Sequence, residues 1–208
     1  MRNSCGSQAS IIFFLLLLVL SFSTCQKEIS RVDDFWVEFA TVVKVTETTA
    51  FQLDNNKILI PNEPEKHKFD AGKRVIMSYS PLRNDTVKIN WVTEIFTGEI
   101  QILDPLTPLY TDPIYIQSIW VAGNYLNLIF EVEYNSQSHS MALLRDASKT
   151  PIELYLSYSR NNDPRGYSKK TYASFSLMQM KLEAGAEVPF QLFVNTYDGL
   201  RTFNFSLK

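Results

Sequence analysis

The chain lacks the residues that most chemistry is built from. Among its 208 residues there are only two cysteines and two histidines. Cys5 and Cys25 both lie near the N-terminus, so the body of the chain has no cysteine for a disulfide or a zinc site, and two distant histidines match no common zinc spacing. There is no basic excess either. Twenty Lys and Arg stand against 22 Asp and Glu, a net charge of −2, so the phosphate-neutralising term that supplies most nucleic-acid affinity is missing. No hydrophobic run reaches the roughly 20 residues needed to cross a bilayer. A sustained helical period is missing too, with only Leu177 to Ala184 ambiguous. Finally, neither His67 nor His139 is set in a nucleophile motif, and no cofactor is implied. His67 sits in the charged loop Glu63 to Lys68 and His139 in the polar turn Ser136 to Ser140, so both read as solvated loop residues.

What is present is apolar material in alternation. Hydrophobic residues make up 45% and charged residues 20%, enough to build packed cores. Arg2 followed by the uncharged run Ile11 to Phe22 has the order of a secretory signal over residues 1–24. The segment Ser21-Phe22-Ser23-Thr24-Cys25 resembles a lipobox, departing from the usual pattern at Phe22 and Thr24. If Cys25 is acylated, it anchors the chain to a membrane, with residues 25–34 as tether. The competing reading is ordinary secretion with cleavage near Ser23 and a free thiol at Cys25.

From Phe35 onward the pattern is strand after strand. Phe35 to Val45 alternates, with Phe35, Val37, Phe39, Thr41, Val43 and Val45 on one face and the opposite face also apolar at Trp36, Ala40 and Val42. An Asn55-Asn56 turn would pair Leu53 with Ile58 and Phe51 with Ile60. Strands follow from Arg74 to Ser80 and from Thr86 to Phe96. Five strands in about 65 to 70 residues suit a small closed barrel, residues 35–104. Pro105, Pro108 and Pro113 then interrupt the chain. Beyond them residues 105–208 hold about seven strands, the count of an antiparallel immunoglobulin-like sandwich. Asp198-Gly199 signals a hairpin whose register would place Val194 opposite Phe203 and Leu192 opposite Phe205.

The order of these segments resembles the NigD-like lipoproteins of Bacteroides and relatives. The residues that carry the resemblance are Phe39-Ala40-Thr41-Val42-Val43, Gly72-Lys73-Arg74-Val75 leading into Tyr79-Ser80, and Tyr125-Leu126-Asn127-Leu128. The resemblance covers nearly the whole chain after the leader. It implies an all-β fold with an N-terminal OB-type barrel and a C-terminal β-sandwich, a cell-envelope location at the periplasmic face or the cell surface with the outer membrane expected, and no established activity. The family name comes from a bacteriocin gene cluster in which such a protein was proposed to give immunity.

Three sets of residues stand out as candidate contacts. Tyr155, Tyr158, Arg160, Arg165, Tyr167 and Tyr172 surround one loop, a composition suited to a protein interface, and their plain reading is amphipathic strand ends. Trp36, Tyr79 and Trp91 sit in barrel strands, where rings stack on sugars or bases in some OB-type barrels or else fill the interior. Glu131 and Glu133 share one strand face as a carboxylate pair or a solvated surface, and Asn161, Asn162 and Asp163 read as calcium oxygens or, beside Pro164 and Gly166, as a plain turn. Two functions follow from the residues. One is a non-enzymatic interaction module held at the envelope, binding an envelope or secreted protein. The other is a carbohydrate-binding accessory protein.

Overall fold

The computed structural model describes residues 34–184 and 187–208, so the leader, Cys25 and nearly all of the tether lie outside the described residues. The described part from Asp34 to Lys208 forms one compact unit. Its first five strands are β1 (Trp36–Val45), β2 (Thr48–Leu53), β3 (Ile58–Pro61), β4 (Arg74–Pro81) and β5 (Thr86–Glu94). They close into a barrel in the order β1-β2-β3-β5-β4. Ala40, Val42, Phe51, Leu59, Val75, Met77 and Tyr79 fill the interior. The doubly apolar pattern of β1 has a simple cause. Ala40 and Val42 face the barrel interior, while Phe39 on the other face packs with Ile76 and Ile95 against Trp120, Ile129 and Tyr172 beyond the barrel.

The second part holds β6 (Phe96–Ile102), β7 (Tyr115–Ala122), β8 (Tyr125–Tyr134), β9 (Ser140–Asp146), β10 (Ile152–Ser159) and β11 (Tyr167–Ser176). A short helix α1 (Met178–Ala184) follows, then β12 (Val188–Thr196) and β13 (Gly199–Leu207). The strand order is β13-β12-β10-β9-β6-β11-β8-β7. β6 joins the two layers of the sandwich: Phe96 to Glu99 pair with β11 and Ile100 to Ile102 with β9. Leu126, Leu128, Phe130, Leu154, Leu156, Phe175, Phe190 and Leu192 belong to the single core between the layers.

The sequence reading ran the fifth strand to Phe96 and kept residues up to Asp104 with the barrel, whereas β6 pairs only within the sandwich. The sandwich is also not fully antiparallel, because β6 with β9, β6 with β11 and β10 with β12 are parallel. Parallel neighbours need a crossover connection rather than a hairpin, and alternation within a strand carries no information about its direction relative to a neighbour.

Two hairpin registers differ from expectation. At the β2–β3 turn the Leu53 N–H donates to the Lys57 carbonyl at 2.8 Å, and Asn56 takes a φ of +68°. The loop therefore has three residues, Phe51 opposes Leu59, and the slip of one exchanges the faces. Leu59 is buried, and Ile58 and Ile60 are exposed. At the β12–β13 turn the loop is Tyr197-Asp198, with positive φ at Gly199 rather than at both central positions. Leu192 thus opposes Phe203 and Phe190 opposes Phe205, a slip of two that keeps every side chain on its expected face.

Candidate functional site: a clamped two-part frame and its tyrosine–arginine end

Arg74 opens β4 with its side chain pointing away from the barrel interior, because Val75 and Met77 occupy the inward positions. It is 1% exposed, and every donor direction is answered. Nη1 donates to Asp54 Oδ1 at 2.7 Å and to Thr41 Oγ1 at 3.1 Å, and Nη2 donates to Asp54 Oδ2 at 3.1 Å and Asn127 Oδ1 at 3.0 Å. Nε reaches Ser174 Oγ at 3.3 Å, and the guanidinium lies 4.1 Å from the Tyr125 ring centroid. Asn127 Nδ2 in turn donates to Asp54 Oδ2 at 2.9 Å, and Ser174 Oγ to Asn127 Oδ1 at 2.6 Å. Asp54 and Thr41 belong to the barrel, Tyr125, Asn127 and Ser174 to the sandwich. The network is a clamp between the two, and with its groups buried and mutually satisfied it is positional rather than chemical. All three segments that carried the family resemblance meet here, through Thr41, Arg74, Tyr125 and Asn127.

The candidate contact surface is the end of the sandwich that this frame presents. Arg160 Nη1 and Arg165 Nε both lie 3.6 Å from Glu133 Oε2. The Arg160 backbone N–H donates to Asp112 Oδ2 at 2.8 Å, while its Nε is buried without a hydrogen-bond partner. Tyr115 and Tyr197 stack at 4.0 Å with 13° between their planes. Burial, then the nearby Glu133 charge, pushes the Tyr197 phenol upward. Tyr134 meets Tyr167 edge-on at 5.8 Å and carries Lys169 Nζ 3.9 Å above its ring. Tyr167 is 60% exposed and Tyr115 51%.

The six residues singled out around this loop are therefore divided. Arg160 and Arg165 meet at Glu133, and Tyr167 packs on Tyr134, the next residue of β8. Tyr158 is buried in the sandwich core, Tyr172 packs edge-on against Phe39 at 6.2 Å in the seam with the barrel, and Tyr155 stacks on Phe193 at 4.9 Å. Tyr115 and Tyr197 escape the sequence reading, since a strand-edge tyrosine and a hairpin-tip tyrosine carry no local sign of meeting. Of the two glutamates, Glu133 joins the arginines, and Glu131 accepts from Ser168 Oγ at 2.7 Å.

Gly166 sets the spacing of this end. A Cβ there would lie 2.0 Å from the Tyr134 carbonyl oxygen, so the backbones of the β10–β11 loop and β8 touch only because the side chain is missing. Gly166→Ala is expected to lower the melting midpoint and to displace Arg165 and Tyr167. Circular dichroism melts and amide shifts of Tyr167 and Tyr134 would measure this, and unchanged shifts would show that the close approach is not needed.

The barrel aromatics do not form one platform. Tyr79 is buried inside the barrel with its hydroxyl donating to Glu38. Trp36 is its register partner at the barrel mouth, 58% exposed. Trp91 pairs with Ser78 across the bulge in β5, where Ile89 and Val92 on either side pack inward. That bulge turns Trp91 to the outer face, away from Trp36.

His139 is not a solvated loop residue. Nε2 lies 3.1 Å from Asp163 Oδ2 and Nδ1 2.5 Å from the Tyr158 hydroxyl, with 9% of its side chain exposed. Asp163, read as part of a plain turn, is buried and accepts the backbone N–H groups of Asn135, Ser136 and Gln137 at 2.7, 3.1 and 3.1 Å. Tyr158, His139 and Asp163 have the linear order of a proton relay. Tyr158 is buried and its hydroxyl is taken up by His139, and burial pushes that phenol upward, so the row serves as a pin between loops. His67 is partly buried, edge-on to Phe51 at 6.5 Å, and burial lowers its pKa.

A closed barrel clamped to a β-sandwich defines a class of two-part all-β proteins. The family model of the NigD-like N-terminal OB domain matches residues 39–95, and that of the NigD-like C-terminal beta sandwich domain matches residues 106–207. The chain belongs to the NigD-like family. Solved structures with the same fold include a protein from Parabacteroides distasonis described as toxin-related, 23% identical over 84% of this chain and 94% of that one, with a TM-score of 0.74. A NigD-like immunity protein from Bacteroides caccae is 21% identical over 83% and 96%, with a TM-score of 0.67. A protein from Bacteroides fragilis described as a lipoprotein is 14% identical over 84% and 97%, with a TM-score of 0.61. No curated protein matches the chain.

Proposed function

We propose that the chain is a non-enzymatic interaction module of the cell envelope, held by a lipid on Cys25, that binds an envelope or secreted protein through the tyrosine–arginine end of its sandwich. The observation that carries this reading is the exposed Arg165 side chain beside Glu133, set with the stacked, partly exposed Tyr115 and Tyr197. Rigid tyrosines supply contact area at low entropic cost, and the solvent-facing guanidinium of Arg165 suits a carboxylate or carbonyl on a partner. Bacteriocin immunity is one setting, suggested by the immunity protein that shares the fold. The lipoprotein neighbour supports the anchor, and among the described residues no helix is long and apolar enough to cross a membrane.

Site-specific photocrosslinking in the native envelope tests this. Probes at Tyr167 and Tyr197 are expected to trap the same protein, a probe at Lys88 on the barrel to trap none, and Arg165→Glu to reduce the yield. Cys25→Ala should release the chain from the membrane fraction. Trapping at Lys88 as strong as at Tyr197 would reject this surface.

A further inference from the structure

β1 is longer than the strand beside it. It pairs with β4 from Trp36 to Thr41 but with β2 only from Ala40 to Val45. The Val42 N–H donates to the Lys73 carbonyl at 2.8 Å on the β4 side. Hydrogen bonding alternates along an antiparallel strand, so even-numbered residues of β1 turn their backbone groups toward β4 and odd-numbered ones toward β2. β2 has ended by Val37 and Phe39. Among the described residues no strand pairs with β1 on that side there, and the backbone groups of Val37 and Phe39 face an open notch.

The notch borders a cleft of about 300 Å³ walled by Phe39, Ile76, Trp120 and Ile129, with Glu38 and Asp54 on its rim. An apolar hollow with a few convergent polar groups is the ordinary form of a binding site. Open backbone donors and acceptors beside such a hollow specify the ligand further, because an extended polypeptide satisfies both at once. The charges differ in availability. Asp54 is committed to Arg74, whereas Glu38 accepts a hydrogen bond from Tyr79 and has no ion pair among the described residues.

We infer that this notch takes an extended segment of a partner polypeptide as an added strand along Val37 to Phe39, with an apolar side chain seated in the cleft and a basic residue beside Glu38. The surface is separate from the tyrosine–arginine end. Ala122, on the cleft, stands by the β7–β8 turn, whereas Tyr134 closes the far end of β8.

The test uses labelled, N-acetylated pentapeptides with Leu, Ile, Phe or Trp at the centre and Lys at both flanks, titrated by fluorescence anisotropy against the full chain in detergent. At least one is expected to bind saturably. N-methylation of alternate peptide bonds should weaken it by about tenfold, the scale of one or two lost hydrogen bonds, and Glu at the flanks should weaken it as well. Val37→Pro removes a donor that β4 does not use, so it should preserve the barrel and give a similar loss. Ala122→Phe fills the cleft and decides the matter if the proline variant fails to fold. The inference is overturned if no peptide binds saturably, if Glu-flanked peptides bind as well as Lys-flanked ones, or if binding survives both substitutions. The envelope crosslinking experiment reports on a different face, so either result stands without the other.

Discussion

Arg74→Ala is expected to lower the unfolding free energy by about 3–5 kcal/mol, the cost of breaking a buried ion pair by removing one partner. The guanidinium is 1% exposed and answers Asp54, Thr41, Asn127 and Ser174 at once. Truncation strands the Asp54 carboxylate, whose side chain is only 13% exposed, and leaves Asn127 Oδ1 with one donor fewer. For a folded part of this size a loss on that scale lowers the melting midpoint by about 10 °C. Arg74→Lys should fall between, since an ammonium cannot reproduce the bidentate fork toward Asp54. A double-mutant cycle with Asp54→Ala should return a coupling energy of about 1–3 kcal/mol.

The same substitution tests what the clamp is for. If it makes barrel and sandwich unfold as one, the wild type melts in a single transition and Arg74→Ala in two, the barrel and the sandwich separately. Calorimetry reads this directly. One sharp transition at nearly the wild-type midpoint would mean that the apolar seam of Phe39, Ile76, Ile95 and Trp120 holds the parts together without the arginine.

Alternation and turn residues disclosed the strands, because each depends on neighbours a few residues apart. The barrel, the sandwich and the family likeness were all legible in this way. Register was less so: Asn55-Asn56 marks a turn, but whether its loop holds two or three residues depends on Asn56 entering the left-handed region, and that choice decides whether Leu59 or its neighbours enter the core. The clamp was legible only as fragments. Arg74 in the apolar run Val75-Ile76-Met77 is an oddity that invites a buried partner, yet Ser174 lies 100 residues away and Asn127 lies 53 away. His139 was misread for a related reason. Its polar neighbours signal exposure, and it is buried by a loop that arrives from beyond β10. The set around Arg160 is divided because proximity in sequence, along a strand, sends alternate side chains to opposite faces.

Asp163→Ala is expected to bring the second large loss, a fall of several degrees in the melting midpoint with loosening of residues 135–139. The carboxylate is the only acceptor among the described contacts for the N–H groups of Ser136 and Gln137, and it also takes Asn135 and His139. Removing it leaves donors without partners beneath the β10–β11 loop. The pH dependence separates this role from mere packing. Burial by itself would raise the Asp163 pKa, but the hydrogen bonds from Asn135, Ser136, Gln137 and His139 outweigh it and hold the carboxyl far below the usual carboxylate range. A depressed folded-state pKa contributes stability that is fully present above the unfolded-state value, near 4, and is lost as pH falls below it. Urea unfolding of wild type and Asp163→Asn from pH 6 to pH 2 should therefore give curves that lie farthest apart above about pH 4 and converge on acidification. Parallel curves across that range would mean that Asp163 acts by shape and not by charge, and the pin would then reduce to the Tyr158–His139 contact alone.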